Sequence, residues 1–237
     1  EEEEAAKQKE LDELSDYLLE ELNLTGPAEM PSMTASSYIV MSGSTSEVVI
    51  EHHAQRKMSP GKITMLVTAM VVIDSMYNED ELSNRVRITE KTAAYGNKFE
   101  AGESVSVGDL LDAMLVGGSR EAAEALARYS ASKRKIFIRM MNSKAMELGL
   151  LDTQFRNPTG KYSVDQYSTA SDCAVIMQAA YRYSLIRQAF EQQRIEISVD
   201  TGSGSRVVGF RSTNPLLLNE DISKRYKFTR GGISGPM

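Results

Sequence analysis

An α+β fold is the architecture this sequence predicts, on three observations. Segments of alternating apolar and polar residues, separated by Gly/Ser-rich turns, lie toward both ends of the 237-residue chain. Apolar residues at helical spacing fill the middle. A composition of 41% hydrophobic and 25% charged residues supports a buried core, and excludes a disordered or collagen-like chain. Strands that flank a helical middle, without regular strand–helix alternation, point to an antiparallel sheet covered by helices.

Residues 1–26 read as a helix, with Leu11, Leu14, Leu18 and Leu22 on one face and Gly26-Pro27 as the stop. With 8 Glu and 2 Asp against 2 Lys, this arm carries a net −8, as a solvated helix or a partner helix would. The whole chain is −6, so the domain from residue 27 to 237 is +2, with 25 basic and 23 acidic residues. Acidity therefore belongs to the arm, and nothing in the charge balance suggests nucleic-acid binding.

A hairpin is predicted from Ser37–Met41 and Glu47–Glu51 around Ser42–Ser46. Ile63–Met76 reads as a buried helix, with Ser59 as its N-cap and Pro60 at its first position. Arg85–Thr89 reads as a short strand. Ser106 with Asp109 forms a capping pattern ahead of Leu110–Leu115, and helices follow over 120–129 and 135–148. Thr169 with Asp172 caps a helix over 171–182. The tail returns to strands at Arg194–Val199 and Ser205–Arg211, joined through Thr201-Gly202-Ser203-Gly204.

Conventional chemistry is scarce. Cys173 is the single cysteine and sits among apolar helix positions, where a buried inert thiol is expected. His52 and His53, the only histidines, would point to opposite faces of a strand and not converge on a metal. No metal site and no cofactor motif is evident. No run of about 18 apolar residues exists, so any membrane anchor would come from segments outside this chain.

One stretch is more specific. Residues 141–172, MNSKAMELGLLDTQFRNPTGKYSVDQYSTASD, resemble the serine D-alanyl-D-alanine carboxypeptidases, the low-molecular-mass penicillin-binding proteins. Gly102-Glu103 with Val107-Gly108-Asp109-Leu110-Leu111, and Thr213-Asn214-Pro215-Leu216-Leu217, are similar to that family's G-E-x-x-S-V-x-D-L-L and T-N-x-L-L. The resemblance implies a β-lactamase/DD-peptidase-like fold: an antiparallel sheet flanked by helices in three layers, plus a mainly helical subdomain. It also implies an extracytoplasmic setting at the bacterial cell envelope, near peptidoglycan or an envelope protein partner.

In that family a serine attacks the peptide carbonyl and a lysine one turn later on the helix helps activate it. Here Pro60, Thr64, Thr68 and Ala69 set the register of the P-A-S-x-T-K-x-x-T-A motif. That register puts Lys62 at the serine position and Met65 at the lysine position. The S-x-N motif falls on Gly118 and Arg120, with Ser119 one residue out of register. The K-T-G motif falls on Arg230, Gly231 and Gly232. The expectation is a pseudoenzyme whose cleft has turned cationic, with Lys62, Arg120 and Arg230 as candidate anion-binding residues.

The alternative is an active carboxypeptidase that uses Ser59 and Lys62, which together spell S-x-x-K. This pair lies three residues upstream of the expected one, about 4.5 Å along a helix axis and about 60° short of a full turn. Catalytic placement tolerates roughly an ångström. The family also continues past its third motif with further strands, which must lie outside this chain or be supplied by another.

Overall fold

The computed structural model describes residues 33–214 and Leu218. The chain divides into two compact units, Glu1–Ala35 and Ser36–Met237. The acidic arm over 1–26 and the motif at Arg230–Gly232 lie outside the described residues. Every described helix and strand belongs to the second unit.

Two short strands come first, β1 (Tyr38–Met41) and β2 (Val48–His52). They pair antiparallel from Tyr38↔His52 to Val40↔Ile50, with a register slip at Met41. The turn between them is closed by Ser42 N–H donating to Glu47 O at 2.9 Å. The predicted hairpin is therefore present, as a two-stranded sheet of its own.

Helix α1 (Ile63–Ser75) is the spine of the unit: every residue from Thr64 to Val72 is buried. A helix apolar on nearly all faces must be covered on all of them. Among the described elements the cover comes from α3 (Val107–Leu115), α4 (Arg120–Ser130), α5 (Arg134–Glu147) and α6 (Ala170–Ala180). The core thus lies around α1, with Leu66, Met70, Leu110, Met114, Leu126, Phe137 and Phe155 wholly inside.

A second sheet, of order β3-β4-β5-β6, is antiparallel throughout. Its strands are β3 (Arg85–Arg87), β4 (Ser104–Ser106), β5 (Arg194–Asp200) and β6 (Ser205–Arg211). Ile197, Val199, Val208 and Phe210 face inward, and the alternate residues of β5 and β6 face out, as the period of two requires. Helices with antiparallel sheets make the class α+β, as expected.

Two of the helix caps read from sequence, at Ser106 and Thr169, are realised. Ser106 Oγ accepts from Asp109 N–H at 3.0 Å and donates to Asp109 Oδ2 at 2.7 Å, and Thr169 Oγ1 accepts from Asp172 N–H at 3.1 Å. Pattern reading missed a 3-10 turn at Glu79–Ser83, the single-turn helix α2 (Glu90–Ala93), strand β4 and helix α7 (Ser184–Glu191). Three of these span five residues or fewer, too short for a periodic signal.

One cap is corrected. Ser59 and Pro60 do not open α1. Lys62 is the N-cap residue, without a side-chain cap, and Gly61 at φ +50° turns the chain just before it. Ile63, Thr64 and Met65 N–H donate to the carbonyls of Pro60, Gly61 and Lys62 at 3.1, 3.2 and 2.9 Å, a tight i→i+3 approach to the helix.

Candidate active-site cleft

The turn at Gly61-Lys62 is held by a loop nearly a hundred residues later. Gly160, at φ +70°, packs so closely that an added Cβ would sit 2.1 Å from Gly61 O. Thr68 Oγ1, buried on α1, donates to Pro158 O at 2.8 Å. Asn157 organises the loop itself: its Oδ1 accepts from the N–H groups of Thr159 and Lys161, both at 3.1 Å, and from Thr159 Oγ1 at 2.9 Å. The Asn-Pro-Thr-Gly run is therefore a brace that sets where Lys62 begins.

From that turn the half-buried Lys62 side chain runs toward Gly118. A Cβ added at Gly118 would lie 2.6 Å from Lys62 Nζ and 2.8 Å from Cε. Only a residue without a side chain leaves room for the ammonium there, and Gly118 also takes φ +65°, where glycine is favoured. Lys62 Nζ donates to Thr213 Oγ1 at 3.4 Å. Burial, with repulsion from the Arg120 guanidinium, lowers the Lys62 pKa below the ordinary lysine value. No carboxylate forms an ion pair with Lys62 or Arg120 among the described residues.

Positions 62, 118 and 120 thus meet, although their motifs are more than fifty residues apart. Met65 does not reach this cleft as a charged group would: it is fully buried in the core beside Leu66 and Met70. Ser119 is spoken for as the N-cap of α4, its Oγ accepting from Ala122 N–H at 3.1 Å and donating to Glu121 Oε2 at 3.2 Å. Ser59 is half-buried, and no hydrogen bond joins it to Lys62 among the described residues. Thr213 was not singled out from the sequence as a site residue; its signal was the T-N-x-L-L match alone.

Two smaller expectations change. His53 is not a strand residue but lies past the end of β2 at φ +46°, which brings its ring to 4.0 Å from that of His52 instead of to the opposite face. Both are exposed, and no cluster of three or more His, Cys, Asp or Glu able to hold a metal occurs among the described residues. Cys173 is half-buried, not fully buried; burial pushes its thiol up, and its S–H donates to Ser168 Oγ at 3.6 Å.

A buried helix whose N-terminal turn meets a second helix start and the segment after a β-hairpin defines a DD-peptidase-like scaffold. The chain belongs to the D-alanyl-D-alanine carboxypeptidase family (peptidase S11), whose sequence model matches residues 25–226. It is 28% identical to D-alanyl-D-alanine carboxypeptidase DacF of Bacillus subtilis, over 64% of this chain and 40% of that protein. It is 29% identical to the D-alanyl-D-alanine endopeptidase of Escherichia coli, over 82% of this chain and 62% of that protein. The chain thus spans between two-fifths and just over three-fifths of the length of these relatives. The DD-transpeptidase of Streptomyces K15 superposes with a TM-score of 0.79 at 26% identity, covering 88% of this chain and 83% of that one.

Proposed function

We propose that this protein is a non-catalytic member of its family, a binding or scaffold module at the bacterial cell envelope. The observation that carries the reading is the Lys62 ammonium seated against Gly118 with Arg120 beside it. Those are the positions at which the family's nucleophile and S-x-N groups are expected, and Met65 replaces the activating lysine. An acyl-serine needs a hydroxyl and a base at these places. Two cations with no carboxylate ion-paired to them among the described residues instead suit an anionic group: a terminal carboxylate, a wall phosphate or an acidic side chain of a partner. Envelope placement rests on the family, whose relatives carry D-alanyl-D-alanine peptidase names.

The test is acylation of the purified full-length protein by a fluorescent penicillin, followed by intact mass. No adduct is expected. An adduct that disappears in Ser59→Ala would overturn the reading in favour of an active carboxypeptidase using Ser59 and Lys62. The companion measurement is binding of muropeptide fragments: Lys62→Ala with Arg120→Ala should weaken it, and unchanged binding would discard the anion-binding cleft.

A further inference from the structure

A second cationic feature lies outside the motif positions. Arg194 opens β5 and Arg211 closes β6, and the antiparallel register sets them directly opposite one another. Like charges facing across a strand pair oppose pairing, so such an arrangement is retained against a cost unless something anionic lies between them. Both are exposed, and neither forms an ion pair among the described residues. Lys98 joins them from the loop before β4: its Nζ donates to Gly209 O at 3.2 Å and lies 5.6 Å above the Phe210 ring.

These groups line one open cavity of about 510 Å³, together with Gly117, Glu196 and Gly209. Gly209 stands opposite Glu196 in the register, and a Cβ there would meet nothing within 4 Å, so the floor is bare. Three cations face a single carboxylate, leaving a net charge of +2. A phosphate group carries about −1.5 to −2 at neutral pH and offers acceptor oxygens in several directions. A carboxylate carries one charge and satisfies a single guanidinium fork. Charge and geometry both favour phosphate.

We propose that the open end of the β5–β6 hairpin, with Lys98, is a phosphate-binding site separate from the Lys62–Arg120 cleft. The shared chemistry is a dianionic phosphate, free or carried as a monoester on a small molecule or at the end of a polymer.

The experiment titrates the full-length protein at low salt with inorganic phosphate, glycerol phosphate and polyphosphate, by calorimetry and amide NMR. Saturable binding is expected, with shifts at residues 194–196 and 209–211. The shifts at residues 194–196 and 209–211 report this site alone, and Arg194→Ala with Arg211→Ala should weaken the affinity read from them at least tenfold; the site therefore stands or falls apart from the cleft reading. Tighter binding of glycerol phosphate or of polyphosphate would identify the carrier. No binding of any probe, an unaffected double variant, or equal affinity for acetate and polyglutamate would overturn the proposal. Folding is checked independently: Arg194→Glu creates an opposite-charge pair with Arg211, so it should abolish phosphate binding while raising the unfolding midpoint.

Discussion

Replacing Gly160 by alanine tests the brace that places Lys62. Two costs are expected. At φ +70° an L-residue is strained, which costs about 1–2 kcal/mol by itself. The new Cβ would also lie 2.1 Å from Gly61 O and 2.7 Å from Gly61 C, and these are backbone atoms that no rotamer change can move aside. Reaching an ordinary contact requires the Gly61 turn or the Asn-Pro-Thr-Gly loop to shift by more than an ångström, an overpacking cost of about 1–3 kcal/mol. The sum is roughly 2–5 kcal/mol, or a fall in Tm of about 4–20 °C for a domain of this size. Gly149→Ala is the matched control: its φ is +73°, yet nothing lies within 4 Å of the added Cβ, so only the conformational cost applies. Urea denaturation of both variants, compared at equal m-value, separates the terms. If the two lose the same stability, the loop does not press on the Lys62 turn and the brace does not position the cleft.

Asp112 gives a pH signature. Burial first, and then repulsion from Asp109, raises its pKa from the ordinary 3.8 to about 6. The folded state therefore binds more protons than the unfolded state between these values, and stability falls as pH rises through that window. Asp112→Asn should add up to about 3 kcal/mol at pH 7 and nothing near pH 3, measured by urea melts across pH; a flat difference would contradict the burial argument. Arg120→Ala should raise the Lys62 pKa toward the ordinary lysine value, followed by NMR titration of the lysine Cε resonances. An unmoved titration would mean that the two cations do not share a cleft.

Much of this fold is legible in the sequence wherever the signal is local and periodic. The apolar-rich run through Thr64–Val72 declares a buried helix, Ser106 and Thr169 declare its neighbours' caps, and alternation in Arg194–Val199 and Ser205–Arg211 declares the second hairpin. Motif spacing likewise put Lys62, Gly118 and Arg120 at one place, because a shared family register carries three-dimensional information along the chain. The β4 strand and the α2 turn escaped because three or four residues without flanking alternation or turn signals complete no more than about one helical turn or strand period.

Tertiary contact decided the rest. Whether α1 began at Pro60 or after Lys62 depended on Gly61 meeting Gly160, a contact across nearly a hundred residues that no cap rule contains. The same holds for the Lys62 ammonium. Its position in the register was legible, but its path was set by a missing side chain at Gly118 and a hydroxyl at Thr213. A long flexible side chain has many rotamers of similar energy, and only the space its distant neighbours leave selects among them.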